Sequence, residues 1–371
     1  MPTTTRAAPT RRRTAPEPPT RLDAPDLDPT HDPGADGARE RLEATAGLDD
    51  AASEPLEGPG GHSIRVGTAS WTDPTMTAAG VFYPQAADTA EERLQFYASR
   101  FPVVEVDATY YALLPPETAE RWAENTPEDF RFDVKAHPVL TGHPVDVTRL
   151  PLDLKQELEK QGEGRRVYPE RMPKELRAEL ETRFAQMLEP LIAAGKLASV
   201  FVQFPPWFTA TRGNVQRIEA LAERWAGLPM AIEFRHTSWL HAERRERVLD
   251  LLRRLELAYV CVDEPQVEGA VPPLTEVTNP KLAVIRFHGH NVSGWQQKGA
   301  TVYQRFDWLY TPEELAAWAS PIRRLSSQAE EVHAVFNNCV RNYAVINAKG
   351  LSALLETAAA EDPSADRPEG G

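Results

Sequence analysis

The sequence has little cysteine, no excess of basic residues and no long apolar run. Its 371 residues include 41 Lys and Arg against 55 Asp and Glu, and the net charge of −14 disfavours general binding to a nucleic-acid backbone. The two cysteines, Cys261 and Cys339, predict small buried thiols and no disulfide framework, which fits a reducing cytoplasm. No apolar run approaches the roughly 18 residues of a membrane span, so no membrane partner is expected.

Motifs that identify common enzyme classes are also missing. The chain has no P-loop, no GxGxxG after a strand and no GxSxG. Nucleotide hydrolysis, nicotinamide redox chemistry and serine-hydrolase chemistry therefore lack support, and no cofactor is predicted. Neither HExxH nor CxxC occurs. A divalent metal held by Glu233, Asp263 and His288 is a lesser alternative, because a lone histidine at a strand end is more often hydrogen bonded than ligating.

Both ends of the chain are poor in large apolar residues. Residues 1–62 are rich in Pro, Ala, Thr, Asp and Glu, with a basic start followed by an acidic stretch. This composition predicts a disordered, solvated tail, with an interaction role as the alternative. Residues 359–371 have a similar composition. The sequence therefore predicts one folded domain over residues 63–358 between two disordered tails.

Within this domain, eight runs are apolar at their start and polar at their end. They span residues 64–70, 101–111, 130–136, 199–204, 230–235, 258–263, 282–289 and 333–338. Segments with helical spacing separate most of them, at residues 88–100, 116–125, 174–196, 214–226, 241–256, 312–325 and 343–358. This alternation predicts an α/β fold, a single (β/α)8 TIM barrel, and a doubly wound open sheet is the competing architecture.

The second run, FPVVEVDATYY, carries acids in an otherwise apolar strand. Because side chains alternate faces along a strand, Glu105 and Asp107 are expected to point the same way. Apolar residues on both faces are typical of a parallel strand that is covered on both sides. Acids at the end of such a strand indicate a site.

Residues 138–173 form a long, proline-rich insertion between the third strand and the third helix. It contains a charged helical piece at residues 151–160. Long loops at the carboxyl ends of barrel strands often cover the mouth of the barrel. A lid over the mouth and a flap without function are the two interpretations of this insertion.

The chain resembles the YecE-like family, which is catalogued as domain of unknown function 72. Eight motifs that occur in the family's order carry the resemblance: GTASW, FYP, FPVVEVDATYY, FRFDVKA, VQFPPWF, IEFRHTSW, IRFHGH and FNNCVRNYAVINAKGL. The resemblance covers residues 63–357 and implies a TIM barrel without an assigned reaction. Two positions depart from the family's usual pattern, Asp107 in place of Asn and His290 in place of Arg.

Polar residues at the strand ends provide the candidate site. The carboxyl ends of barrel strands converge on one mouth, where TIM barrels carry their chemistry. The predicted catalytic residues are Glu105, Glu233, Asp263 and His288. The predicted substrate-binding residues are bases, amides and aromatic residues, namely Lys135, Gln203, Arg235, Arg286, Asn337, Trp71, Tyr110 and Trp239.

These residue types favour an acid–base enzyme that acts on a small anionic substrate, a carboxylate or a phosphate. A glutamate shielded from water has a raised pKa and can serve as general acid or base, while Lys135, Arg235 and Arg286 can bind the anion. An alternative is a nucleic-acid binding or processing protein that uses the same basic and aromatic residues. A structural ion network inside the barrel is a third interpretation. The oligomeric state is not predicted by these patterns.

Overall fold

The centre of the molecule is a closed barrel of eight parallel strands. A computed structural model describes residues 34–78 and 81–361. The strands are β1 Ser63–Ala69, β2 Val103–Val106, β3 Arg131–Lys135, β4 Leu197–Gln203, β5 Met230–Glu233, β6 Ala258–Asp263, β7 Leu282–Phe287 and β8 Glu331–Phe336. Each strand pairs with the next one along the chain, and β1 also pairs with β8. This closure confirms the predicted TIM barrel and excludes the open sheet.

Helices follow seven of the eight strands in the described part of the chain. They are α1 Ala90–Ala98, α2 Pro116–Glu124, α3 Lys174–Ala193, α4 Arg212–Arg224, α5 Arg245–Arg254, α6 Pro312–Ser326 and α7 Tyr343–Glu361. Residues 264–281, between β6 and β7, contain no helix. None of the helices in residues 34–78 and 81–361 combines the length and apolar character that crossing a bilayer requires.

Local sequence explains where several barrel helices begin. Thr89 and Thr311 accept hydrogen bonds from the backbone three residues later, and Glu92 and Glu314 complete the reciprocal capping boxes of α1 and α6. Proline occupies the first turn of α2 and α6, where its missing N–H has no partner to lose. These caps and prolines fix the residue at which each of these helices begins.

Shorter helices occupy the connections. One-turn or two-turn α-helices are Ala108–Tyr111, Pro138–Thr141, Leu152–Lys160, Val292–Gln296 and Val302–Arg305. Further turns of the 3-10 type are Pro59–Gly61, Val147–Arg149, Pro169–Arg171 and Thr237–Trp239. Most of these lie after the carboxyl ends of strands, so they surround the C-terminal mouth of the barrel.

Strand β2 is shorter than the strand predicted over residues 101–111. The chain turns at Asp107 (φ −89°, ψ −16°) into the helix Ala108–Tyr111. The Thr109 hydroxyl donates to the carbonyl oxygen of Lys135 at 2.6 Å, which fastens this turn to the end of β3. Asp107 therefore lies beyond the end of β2, so the predicted alternation of strand faces applies to Glu105 and not to Asp107.

The segment before β1 is folded from residue 34 onward. The prediction of disorder is therefore wrong for residues 34–62. Helices Gly34–Ala44 and Asp49–Ser53 and the strand Leu56–Glu57, antiparallel to β1, lie against the barrel. The Asn342 side chain donates to the Ala38 carbonyl at 2.6 Å. Small side chains such as Ala38 pack closely there, a contact that a count of large apolar residues misses. Residues 1–33 and 362–371 lie outside the described residues.

The insertion after β3 forms a compact subdomain on the barrel. The helix Leu152–Lys160 packs over a two-stranded hairpin, Val145–Asp146 with Arg166–Val167. Its buried side chains join two from α3, Leu176 and Leu180, in an apolar cluster separate from the main core. The insertion contributes Val139, Val145, Val147, Leu150, Leu154, Leu158, Val167 and Met172. The insertion therefore packs on α3 through a small core that the two share.

Charged side chains occupy the barrel interior in layers, whereas apolar side chains fill the space between strands and helices. In the middle layer, Asp133 accepts a hydrogen bond from Ser199 at 2.6 Å, and the Nδ1 atom of His333 lies 2.8 Å from the same carboxylate. The other ring nitrogen of His333 lies 3.2 Å from Glu331. Burial alone would lower the pKa of His333, but the two carboxylates raise it to about 9. The middle layer therefore contains a buried imidazolium.

Candidate active site

An arginine surrounded by carboxylates lies above that layer, near the C-terminal ends of the strands. Arg286 on β7 donates from Nε and Nη2 to the two carboxylate oxygens of Glu105 on β2, at 2.7 and 2.6 Å. Its Nη1 atom donates to Glu233 on β5 at 2.8 Å. All three side chains are at most 1% exposed. Two carboxylates from different strands are thus joined through one guanidinium, a geometry that suits the planar fork of arginine.

Glu233 links this arginine to the groups above it. Its Oε1 atom accepts from Gln203 at 2.6 Å and from Arg235 at 3.1 Å, and lies 3.5 Å from Nε2 of His288. Burial alone would raise the pKa of Glu233, but Arg286, His288 and Arg235 together hold it well below the ordinary value. Glu233 is therefore ionised near neutral pH, unlike the raised pKa expected from its sequence position.

Glu105 differs from Glu233 in its environment. Burial raises the pKa of Glu105, and the opposing attraction of Arg286 and Lys135 does not cancel this effect. The expectation of a raised pKa thus agrees with the structure for Glu105. The pKa values of the two carboxylates that share Arg286 are shifted in opposite directions, because Glu233 has more cationic and hydrogen-bonding neighbours than Glu105.

His288 is completely buried beside Glu233. Its Nδ1 atom lies 3.0 Å from the Asn337 amide nitrogen, and its Nε2 atom lies 3.3 Å from Arg235. Burial lowers the pKa of His288 to about 3. A neutral imidazole in this place orients Arg235 and Asn337 without adding charge.

A cavity of about 930 Å³ opens above this cluster at the C-terminal mouth of the barrel. Its charged and amide lining residues are Asp107, Lys135, Gln203, Arg235, Glu264, Glu268, Gln296, Arg305 and Asn337. Aromatic rings complete the wall, including Tyr110, Tyr111, Trp295 and Phe306. The size suits a small-molecule ligand, and acids and bases face it together.

Two carboxyl groups and one amine that line the cavity have perturbed pKa values. Burial raises the pKa of Asp107 against the attraction of Lys135 and Arg286. Burial also raises the pKa of Glu264, which is 2% exposed and whose Oε2 atom has no hydrogen-bond partner among the described residues. Burial and the charge of Arg286 lower the pKa of Lys135. Such shifts in a cavity are typical of groups that transfer protons.

Asp263 does not lie at the mouth, contrary to the sequence-based prediction. It pairs in register with Phe287, whose ring packs against Tyr310 and Trp318 outside the barrel. Its carboxylate accepts from the Tyr310 hydroxyl at 2.7 Å and lies 3.0 Å from Nε2 of His290. Its side chain therefore joins β6 to the loop after β7, because strand parity turns it away from the interior.

Several predicted ligand-binding residues also lie outside the cavity lining. Arg286 does not reach the cavity, because Glu105 and Glu233 engage its guanidinium on all sides. Trp239 is fully buried, and its Nε1 atom donates to the Phe208 carbonyl. Trp71 packs edge-on against Trp122.

Five predicted ligand-binding residues do face the cavity, namely Lys135, Gln203, Arg235, Asn337 and Tyr110. Sequence reasoning missed Glu264, Arg305 and His143. Glu264 follows Asp263 directly, and its position could have been found only by knowing which face of β6 is interior. Arg305 and His143 come from long loops, which carry no periodic signal.

No cluster of three or more His, Cys, Asp or Glu side chains suited to a metal ion occurs within residues 34–78 and 81–361. Of the three ligands considered from the sequence, Glu233 and His288 are adjacent, whereas Asp263 is turned outward towards Tyr310. These residues therefore do not converge on one point.

The fold and this site define a TIM-barrel protein with a charged cavity at the C-terminal mouth. Residues 65–370 match the family model described as protein of unknown function DUF72, and the chain belongs to that family.

Similar proteins come from distant bacteria. The UPF0759 protein YunF of Bacillus subtilis is 31% identical over 297 residues, which cover 79% of this chain and 95% of that protein. The UPF0759 protein YecE of Escherichia coli is 36% identical over 72 residues, 19% of this chain and 23% of that protein. A crystal structure of a DUF72 family protein from Thermotoga maritima is 31% identical with a TM-score of 0.62, covering 79% of this chain and 99% of that one.

Proposed function

We propose that this protein is an acid–base enzyme that acts on a small anionic substrate in the cavity at the C-terminal mouth. The observation that carries the proposal is the set of three shifted groups that line one cavity: Asp107 and Glu264 with raised pKa values and Lys135 with a lowered one. Carboxyl groups that keep their protons to higher pH and an amine that releases its proton at lower pH are suited to general acid–base catalysis.

Binding of an anion is supported by the cations that line the cavity. Arg235 lies over the Trp295 ring at 5.0 Å, and its guanidinium is shared with Glu233 and Glu264 at 3.1 and 3.5 Å. Arg305, on the helix Val302–Arg305, is exposed at the rim and forms no ion pair with the described residues. A carboxylate or phosphate would accept a charge-assisted hydrogen bond from Arg305 at the rim. At the floor it would compete with Glu264 for Arg235.

The buried cluster then has a supporting role. Arg286, Glu105, Glu233 and His288 do not line the cavity, but they hold Arg235, Gln203 and Asn337 in place from below. Groups fixed from a second layer lose little entropy on binding a substrate. We therefore assign the proton transfers to Asp107, Glu264 and Lys135, and positioning to the four buried residues.

A thermal-shift screen of small carboxylates and phosphates tests this proposal, because a ligand of the folded state raises its Tm. We expect at least one anion to raise the Tm, and the response to weaken in Arg305→Gln but not in Arg247→Gln, an exposed arginine on α5 that is outside the lining. Any anion that binds is then assayed for turnover with Glu264→Gln and, as a matched control at the exposed rim, Glu268→Gln. Equal turnover in the two variants, or no binding of any anion, contradicts the proposal.

A second candidate function, binding of single-stranded nucleic acid, is favoured by one feature. A groove of about 340 Å³ in the insertion adjoins the cavity through Tyr110, Tyr111 and His143. Two of its aromatic side chains are well exposed, Tyr111 at 44% and Trp207 at 56%. Arginines also line the groove, namely Arg149, Arg165 and Arg166. Aromatic rings beside arginines are the usual platform for unstacked bases.

Fluorescence anisotropy with a labelled single-stranded oligonucleotide distinguishes the two candidates. Nucleic-acid binding predicts an affinity that falls steeply with salt and is lost in Trp207→Ala, because phosphate contacts release counterions and the ring stacks on a base. Leu152→Ala, an exposed apolar residue that does not line the groove, is the control. Absence of salt-dependent binding rejects this second candidate.

A further inference from the structure

Lys135 is a cation at the end of a barrel strand whose amine lines the cavity without an ion-pair partner among the described residues. It is the last residue of β3, and the hydrogen bond from Thr109 to its carbonyl oxygen fixes its backbone. Its side chain is half-buried and faces the cavity, and the Nζ atom lies 5.1 Å from the centre of the Tyr110 ring. Within the described part of the chain, Nζ forms no hydrogen bond and no ion pair. A half-buried amine that faces a cavity and has no hydrogen-bond or ion-pair partner among the described residues is unusual for a structural lysine.

The surroundings of Lys135 suit a nucleophilic amine. Burial and then the charge of Arg286 lower the pKa of Lys135, and the Tyr110 ring lies beside the amine. Glu105 is near enough to attract the ammonium, but its carboxylate is committed to both nitrogens of Arg286. Desolvation and a neighbouring cation are the two conditions that free an amino group for attack on a carbonyl.

We infer that Lys135 forms an imine with a small anion that carries a ketone or aldehyde group. This inference rests on the proposed function and names its substrate class. The cations at the floor and rim, Arg235 and Arg305, would hold the carboxylate or phosphate of the substrate, which places its carbonyl carbon towards the middle of the cavity. The cavity is wide enough for a three-carbon oxo-acid or a carbonyl-bearing phosphate ester.

Asp107 supplies the proton that the step needs. The neutral amine of Lys135 attacks the carbonyl carbon, so an N–C bond forms and the carbon–oxygen π bond breaks. One proton moves from the attacking nitrogen to the oxygen, which gives a neutral carbinolamine with one hydroxyl. The C–O bond then breaks, and the leaving hydroxide takes a proton from the Asp107 carboxyl to form water. The products are a protonated imine on Lys135, one water molecule and the Asp107 carboxylate, so atoms and charge balance. Asp107 lines the same wall and interacts electrostatically with Lys135.

Reductive trapping tests the inference. The full-length protein is incubated with pyruvate or with dihydroxyacetone phosphate in the presence of sodium cyanoborohydride, and intact mass and peptide mass spectra are recorded. We expect one reduced adduct per chain, on the peptide that contains Lys135. The rate of labelling should rise with pH around a pKa below the ordinary lysine value of 10.5. The two probes distinguish a carboxylate from a phosphate as the bound anion.

Two variants act as controls. Lys135→Arg retains a cation but cannot form an imine, so the adduct should be lost while the Tm and its response to anions persist. Lys298→Arg changes an exposed lysine on the loop after β7 and should label like the wild type. Adducts spread over several lysines, equal labelling of Lys135→Arg, or no adduct with either probe overturns the imine. An anion-dependent rise in Tm without an adduct rejects the imine alone, whereas no response to any anion rejects the proposed function.

Discussion

A single guanidinium holds two buried carboxylates at the floor of the candidate site. Arg286 donates to both oxygens of Glu105 and to one oxygen of Glu233, and all three side chains are shielded from water. Removing one partner of a buried ion pair leaves an uncompensated charge, which is far more costly than the net contribution of the pair. The residue that was expected to bind substrate is therefore a positioning residue on which the barrel also depends.

We expect Arg286→Lys to lower the free energy of unfolding by about 3 kcal/mol, because one ammonium cannot satisfy both carboxylates. Urea denaturation measures the change. The matched variant is Arg235→Lys, at a side chain that is 19% exposed and lines the cavity. The free energy of unfolding of Arg235→Lys should fall by about 1 kcal/mol or less, because water can replace part of the contacts of Arg235. The rise in Tm that an anion causes should be smaller in this variant than in wild type. Equal stability of Arg286→Lys and wild type would contradict this role.

The buried imidazolium of His333 makes stability depend on pH. Its pKa is raised from 6.5 to about 9 by Asp133 and Glu331, so the folded state holds the proton more tightly than the unfolded state. The stabilising effect is complete below pH 6.5 and is lost as pH rises through about 9. The loss is about 3 kcal/mol.

The measurement is urea denaturation of wild type and His333→Gln between pH 6 and pH 10. The difference between the two stabilities should shrink as pH rises, because only the wild type carries this proton. His241→Gln, at an exposed histidine, should follow the wild-type curve. A constant difference between wild type and His333→Gln would show that His333 is not cationic in the folded protein.

Among the connections between strands and helices, the insertion after β3 packs on α3 through an apolar cluster separate from the barrel core, and it also contributes to the mouth. Leu158 is fully buried in its apolar cluster, whereas His143 from the same insertion lines the cavity. A small core that is separate from the barrel core can open without unfolding the barrel. This independence is what a movable cover over a cavity requires.

We expect Leu158→Ala to destabilise the insertion by about 3 kcal/mol, the usual cost of such a cavity. Hydrogen exchange should become faster within residues 145–172 and stay unchanged in the barrel strands. Leu152→Ala, at a side chain that is 67% exposed, is the control and should leave exchange unaltered. Faster exchange across the strands would mean that the insertion and the barrel unfold together.

For the barrel as a whole, the seam where β1 meets β2 is a place of close approach. Gly67 on β1 faces β2 at this seam, and a Cβ atom there would lie 2.1 Å from the Val103 carbonyl oxygen. The contact is with backbone, which cannot move without separating the two strands. Glycine is required at this position by the close approach of the strands, not by an unusual backbone angle.

We expect Gly67→Ala to lower the free energy of unfolding by about 3 kcal/mol, at the upper end of overpacking costs, because the seam must widen. Gly213→Ala is the control. Gly213 lies in α4 with open space around it, so alanine there should be neutral or stabilising by up to about 1 kcal/mol. Calorimetry measures both. An unchanged Tm in Gly67→Ala would show that the seam has more room than the structure indicates.

Local sequence patterns were enough to predict the barrel architecture and the end of the barrel where the candidate site lies. The alternation of apolar runs with helical spacing follows from local periodicity, so all eight strands and seven helices could be located before any contact was known. The strand assignments also predict which polar residues lie at the mouth, because the ends of parallel barrel strands converge there. These residues include Lys135, Gln203, Arg235 and Asn337.

Only the tertiary structure decided which polar residues face the cavity and which are neutralised beneath it. Strand β6 is apolar on both faces, so its sequence cannot show that Glu264 points inward and Asp263 outward. The engagement of Arg286 by Glu105 and Glu233 joins residues that are 181 and 53 positions apart. Contacts over such separations depend on how the barrel closes, and local periodicity carries no information about them.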